Sequence, residues 1–210
     1  KRTSNVVPGV VEAFFDDTAT RVVMRFLKDD KIETYLARLT FPKIDPNLTQ
    51  TEKDALPKTA NVTGEYLPQN INTLSVSNDG KSMFYLSPSF GGVNGFVYNF
   101  ANKTKKQIFS SSLTEWIADF ANPGKVNLTT KATSILPGYS YSIGNPSGNM
   151  TRNLGGDNGL LTLMSPDGKK ILFSNTSGGN ITTFVKDLST GKETSISPTT
   201  LPEKCVWTKD

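Results

Sequence analysis

The sequence predicts an all-β fold, a β-propeller of four-stranded antiparallel blades, and three observations carry that prediction. The first is a repeat: the turns Asn78-Asp79-Gly80-Lys81, Asn122-Pro123-Gly124-Lys125 and Pro166-Asp167-Gly168-Lys169 recur every 44 residues at the same point of a similar stretch. The second is that each stretch divides into four short segments parted by turn residues. A period in the forties with four strands per unit marks a propeller blade. The third is composition. The 210 residues include 17 Gly and 12 Pro, with many hydroxyl and β-branched side chains, which suits strands and turns better than helices.

The elements follow in order. Residues 10–27 read as strand, turn, strand, and 31–40 alternate as a third strand. The distance from the Asp16-Asp17 turn to the Gly80 turn exceeds one period, and the surplus falls in residues 42–68, read as an insertion. Within it, Thr49 and Glu52 have capping-box spacing, which predicts a turn or two of helix. The innermost strands of the repeat are 74–78, 118–122 and 162–166, and the strands after the turns are 82–86, 126–130 and 170–174. Two of the latter are near-continuous apolar runs, as a strand covered on both faces requires. The middle one carries Asn127, Thr129 and Thr130 and is expected to form the least well-packed blade. Third strands at 95–100, 139–143 and 181–185, each with a polar turn and a short outer strand after it, complete the meanders.

This places blades at about 10–69 (with the insertion 42–68), 70–113, 114–157 and 158–201, with 202–210 as the start of the next. On this reading the chain is part of a larger ring, completed by further blades of the same polypeptide or by another chain. Turn chemistry supports the alignment. In Ser165-Pro166-Asp167-Gly168, Pro suits the first central position of a type I turn and Gly takes the left-handed position after it. Ser77-Asn78-Asp79-Gly80 is expected to fold alike, whereas Pro123-Gly124 is expected to form a type II turn.

Ser165-Pro166-Asp167-Gly168-Lys169-Lys170-Ile171-Leu172-Phe173-Ser174 resembles the repeat signature of TolB-like β-propellers within the broad WD-type repeat class. The same signature occurs in the propellers of prolyl oligopeptidase and dipeptidyl peptidase relatives. Residues 77–86 are a second copy, and the likeness covers most of 70–210 and extends to 10–41. The Pro123 turn departs from the Asp-Gly pattern, and the Trp-Asp dipeptide of eukaryotic repeats is absent. The resemblance implies a binding scaffold of the bacterial envelope or a gate on a separate hydrolase domain, and hence an extracytoplasmic location: periplasmic, cell-surface or secreted. The hydrolase signature Gly-x-Ser-x-Gly does not occur in these residues.

Composition removes several classes of chemistry. With no His and one Cys, the chain offers no His-based general base, no Cys-His or Ser-His-Asp set and no thiol cluster for zinc or iron–sulfur. No cofactor or metal is expected. Net charge is +4, and the tightest basic cluster, Lys103, Lys105 and Lys106, sits in a hairpin turn without the interleaved aromatics of a nucleic-acid platform. No apolar run approaches the ~18 residues of a membrane span. Seven Asn-x-Ser/Thr sequons, at Asn47, Asn61, Asn102, Asn127, Asn149, Asn175 and Asn180, are mostly what the composition would produce.

The expected partner is a protein or a glycan. Candidate ligand-binding residues are Glu12, Glu115, Trp116 and Glu203, each at the entry to an inner strand, and Asp157 and Asn158 in the Gly155–Gly159 connection at a rim. Core packing between blades also suits Trp116 and Trp207. Strand alternation assigns Phe90, Phe96, Tyr98, Tyr139 and Tyr141 to core and sheet surface. The Asp16-Asp17 and Asp29-Asp30 pairs lack the alternating oxygens of a calcium loop. Three functions fit: a non-enzymatic scaffold, the gating propeller of a peptidase, and a propeller glycosidase working through channel carboxylates such as Glu12, Glu115 and Glu203.

Overall fold

The computed structural model describes residues 8–16, 18–41, 43, 45–55 and 60–208. Its strands form four antiparallel sheets of four, and in each the spatial order is the chain order. The first sheet holds β1 (Val10–Phe15), β2 (Arg21–Lys28), β3 (Lys31–Thr40) and β4 (Asn61–Tyr66). The second holds β5 (Thr73–Val76), β6 (Ser82–Ser89), β7 (Gly92–Asn99) and β8 (Lys105–Ser111). The third holds β9 (Trp116–Asn122), β10 (Lys125–Thr130), β11 (Pro137–Gly144) and β12 (Met150–Asn158). The fourth holds β13 (Leu161–Met164), β14 (Lys170–Ser177), β15 (Asn180–Asp187) and β16 (Glu193–Ser195). The chain divides into two units, residues 1–71 with the first sheet and residues 72–210 with the other three.

In the first unit, β2 and β3 meet through the two-residue turn Asp29-Asp30, both at positive φ (49° and 58°). That is the geometry of the type I′ hairpin turn, which accounts for this aspartate pair without a metal. Asp16 is buried and accepts the Thr20 and Arg21 backbone N–H groups (2.7 and 3.0 Å) and the Thr18 and Thr20 hydroxyls. Burial raises its pKa, but these hydrogen bonds, led by that from Arg21, outweigh burial and hold it low. Its neighbour Asp17 lies outside the described residues. The segment 42–68 is not all insertion, because it supplies the outer strand β4. Before β4, helix α1 (Gln50–Ala55) begins with the expected capping box: Glu52 accepts the Thr49 N–H (2.8 Å) and Thr49 Oγ1 accepts the Glu52 N–H (3.4 Å).

In the second unit the first strands lie side by side and run the same way, so the repeat can be read from their hydrogen bonds. Thr73 Oγ1 donates to the Trp116 carbonyl (2.8 Å) and Ser75 Oγ accepts the Phe120 N–H (2.9 Å). One blade on, Asp119 accepts the Met164 N–H (2.6 Å) and Asn122 Nδ2 donates to the Pro166 carbonyl (3.2 Å). Beyond the fourth sheet, the indole N–H of Trp207 donates to the Leu163 carbonyl (3.4 Å), so residues 205–208 lie against the first strand of that sheet. They follow a 3₁₀ turn at Pro202–Lys204 and form no ladder among the described residues.

Two apolar clusters join these three sheets. Phe84, Leu86, Phe120, Val126, Leu128 and Ile143 fill one, and Leu154, Leu160, Met164, Ile171 and Phe173 fill the other. Each fully buried side chain of this size contributes roughly 1.5–3 kcal/mol. The polar strand β10 is as well buried as its counterparts, contrary to the expectation of loose packing. Asn127 and Thr129 are each 1% exposed. Asn127 Nδ2 donates to Thr162 Oγ1 (2.9 Å), while its Oδ1 accepts from Ser140 Oγ (2.8 Å) and Asn153 Nδ2 (3.1 Å). The Thr129 and Thr162 hydroxyls pair at 2.6 Å. A satisfied polar network replaces apolar packing at this junction. It also seals the Asn127 sequon inside the fold.

Two repeat turns form as read. Gly80 and Gly168 donate their N–H to the Ser77 and Ser165 carbonyls (2.8 Å each) and sit at φ +62° and +68°. Asp79 and Asp167 each accept the serine hydroxyl two residues back at 2.6 Å. The Ser165 hydroxyl, then the Lys169 N–H, hold the Asp167 pKa low. The Pro123 turn differs from expectation. Gly124 is not in the left-handed region, so the turn is not type II, and its N–H is taken by Asn122 Oδ1 at 2.8 Å.

Candidate functional site

Because the first strands of the second unit run in parallel and every sheet is a meander, its loops gather at two ends. The turns between first and second strands and between third and fourth strands share one end. The loops between second and third strands, and from each sheet to the next, share the other. The two ends differ sharply in chemistry. At the first end stand 77–81, 99–104, 122–125, 144–149, 165–169 and 187–192, built mostly from Asn, Asp, Ser, Thr, Gly, Pro and Lys, with Phe100, Ala101 and Leu188 as the apolar members. Their side chains satisfy their own backbone. Asp187, for example, accepts the Ser189 and Thr190 N–H groups at 2.9 Å, and the Ser189 hydroxyl foremost holds its pKa at about 2.

The opposite end presents large apolar side chains to water. Phe90, at the tip of the β6–β7 hairpin, is 109% exposed, and Gly91 beside it, at φ +76°, has nothing within 4 Å of where a Cβ would stand. In the β10–β11 loop, Ile135 is 89% and Leu136 57% exposed, and Leu113, between the second and third sheets, is 46% exposed. Ile181, at the start of β15, lies at the same end. Met150 is the exposed counterexample at the polar end. Phe90 is therefore not a core or sheet-surface residue. Tyr98 is buried, and Tyr141 packs on the core.

A cleft of about 350 Å³ opens along the first strands. Asn78, Asp119, Leu163, Met164, Cys205 and Trp207 line it. Asp119 is its sole carboxylate among the described residues. Burial pushes the Asp119 pKa up to about 6, against the hydrogen bonds it accepts from the Met164 and Ala121 N–H groups. One carboxyl beside a thiol and an indole does not supply the acid and base of glycoside hydrolysis.

Of the six expected site residues, Glu12 belongs to the first unit and the other five to the second. Glu12, on β1 in the first unit, pairs with Arg25. Glu115 is exposed and pairs with Lys131 at 3.2 Å. Neither Glu115 nor Glu203, the latter exposed in the 3₁₀ turn, lines the inner cleft. Trp116 is 9% exposed, packs edge-on against Phe109 and Tyr141, and donates its indole N–H to the Leu113 carbonyl at 2.8 Å. Asp157 accepts from Asn175 Nδ2 at 3.0 Å. Asp157 and Asn158 belong to β12, paired with Gly138 and Pro137, so this stretch is strand rather than a free connection. Gly155 is required there because a Cβ would stand 2.4 Å from the Tyr139 ring. The residue that sequence reasoning missed is Asp119. Its signal was an acid on an inner strand where the repeat has Ser75 and Leu163.

No protein-family profile matches the chain, and no curated protein matches it. Solved structures do, and the fold they define is that of TolB-like β-propellers. TolB from Acinetobacter baumannii superposes with a TM-score of 0.61 at 20% identity, over 92% of this chain and 44% of TolB. Puromycin hydrolase gives 0.58 at 14% identity, over 90% of this chain and 29% of that protein. An oligogalacturonate lyase in complex with manganese gives 0.57 at 11% identity, over 91% and 54%. At such identities the likeness is one of fold, and the chain spans less than two thirds of each protein.

Proposed function

We propose that the chain is a non-enzymatic propeller scaffold that binds a protein partner through the loop end carrying Phe90, Leu113, Ile135 and Leu136. The supporting observation is the segregation itself. The polar turns at one end are capped by their own side chains, while apolar side chains crown the other. Isolated exposed apolar residues are ordinary, but several projecting from successive loops at one end mark an interaction surface. Projecting anchors of this kind fill pockets on a protein partner and supply most of the binding energy. A glycan partner would instead call for flat aromatic platforms with convergent polar groups.

The TolB-like likeness supports placing the scaffold outside the cytoplasm, in the envelope or secreted. The likeness to puromycin hydrolase supports a second reading, a gating propeller, for which the same end would face a hydrolase domain. The reading frame beyond these residues decides between them, since a Gly-x-Ser-x-Gly segment there favours the gate.

The test is the triple variant Phe90→Ser, Ile135→Ser, Leu136→Ser in the full chain. Parent and variant are immobilised, exposed to envelope extract of the source organism, and compared by mass spectrometry. The expected result is a protein retained by the parent and lost by the variant at an unchanged melting temperature. Equal retention by both would refute the assignment.

A further inference from the structure

A groove of about 480 Å³ lies between the third and fourth sheets, at the polar end of the second unit. Three cations from three strands line it: Lys125 of β10, Arg152 of β12 and Lys186 of β15. Between them stand the neutral hydrogen-bonding side chains of Asn149, Thr151 and Asn153, and among the described residues no carboxylate belongs to the lining. The positive charge is only partly answered. Lys186 pairs with Glu193 at 3.0 Å. The Lys125 ammonium reaches only the Gly168 carbonyl, at 3.4 Å. The Arg152 guanidinium makes no hydrogen bond or ion pair with any described residue, although the side chain lines the groove.

In the sheet register Arg152 stands opposite Tyr141, and one blade earlier the residue opposite Val97 is Lys106, while Lys81 and Ser142 hold the places of Lys125 and Lys186. What sets this junction apart is a guanidinium in place of an ammonium and Lys186 as a third cation. Like charges gathered in a concave surface repel one another, and a bound anion relieves that repulsion. A guanidinium offers a planar fork for two oxygens of one anion, and the two ammonium groups add point charges.

We propose that this groove is a binding site for an anionic ester oxyanion, the phosphate or sulfate ester group of a small ligand, with Arg152 as the fork and Lys125 and Lys186 as flanking charges. The groove is large enough for such a group and the body that carries it. The proposal does not depend on the apolar loop end, which lies at the other end of the unit.

Titration calorimetry of the full chain at low ionic strength tests it, with glucose 6-phosphate, glucose 6-sulfate and uncharged glucose as probes. Saturable binding of either ester, with none of glucose, is expected, and the better ester identifies the source of the oxyanion. Arg152→Gln should weaken binding at least tenfold, Lys125→Gln several-fold, and Arg152→Lys should recover only part of the loss. Added salt should weaken binding. Arg152 is exposed, so its variants should melt with the parent. Lys103→Gln, a basic residue outside the groove, is the control. The proposal is overturned if neither ester saturates, or if Arg152→Gln binds as Lys103→Gln does.

Discussion

Replacing Asp119 by Asn tests the electrostatics of the inner cleft. The asparagine Oδ1 can still accept the Met164 N–H that Asp119 takes at 2.6 Å, so the variant removes the charge while keeping the shape and this hydrogen bond; any loss at the Ala121 N–H is common to both pH values. Burial raises the Asp119 pKa from 3.8 to about 6. A raised acid pKa means that the fold favours the protonated form. The stabilisation is therefore full below the unfolded value near 3.8 and is lost as pH rises through about 6. At about 1.4 kcal/mol per pH unit the ceiling is about 3 kcal/mol, and solvent access to a half-buried residue reduces it to about 1–2 kcal/mol. Urea unfolding of parent and Asp119→Asn at pH 4 and pH 8 measures the difference directly. The two should be nearly equal at pH 4, and the variant should be the more stable by about 1–2 kcal/mol at pH 8. A pH-independent difference, or a variant less stable at pH 8, would refute the reasoning.

Four further outcomes follow from the packing. Gly168→Ala, at φ +68°, should lose about 1–2 kcal/mol in thermal or urea unfolding. Gly124→Ala, outside the left-handed region and 3.1 Å from the Asn122 amide oxygen alone, should change stability by less than about 0.5 kcal/mol. Asn127→Ala should cost about 2–4 kcal/mol in urea unfolding, since it strips partners from Thr162, Ser140 and Asn153 in a buried site. Mass spectrometry of the chain expressed in a glycosylating host should find the folded protein unmodified at Asn127.

The sequence made the blade pattern legible because strand periodicity and turn chemistry are local. The Ser-x-Asp-Gly turns, the Thr49–Glu52 capping box and the inner strands all formed where local rules put them. Misreadings arose where distant residues decide. Asn127 and Thr129 look like poor core residues until Thr162 and Asn153, from other strands, supply their partners. β4 was hidden because its sequence, burial pattern and long preceding loop break the repeat. The candidate sites were less legible still. Chain position at a strand entry does not say whether a glutamate meets a lysine, as Glu115 does, or a cleft. Asp119 stands out only when it is compared with its counterparts 44 residues away, and Arg152 only when it is placed against a neighbouring sheet.

The central claim is that one loop end of the second unit engages a protein. Site-specific photocrosslinking in the source cells tests it most directly, with a benzophenone side chain placed singly at Phe90, Ile135, Lys103 or Ser189. Phe90 and Ile135 lie at the apolar end, Lys103 and Ser189 at the polar end. The account predicts the same partner adduct at Phe90 and Ile135 and none at Lys103 or Ser189. Adducts confined to Lys103 and Ser189, or a pattern indifferent to position, would contradict it.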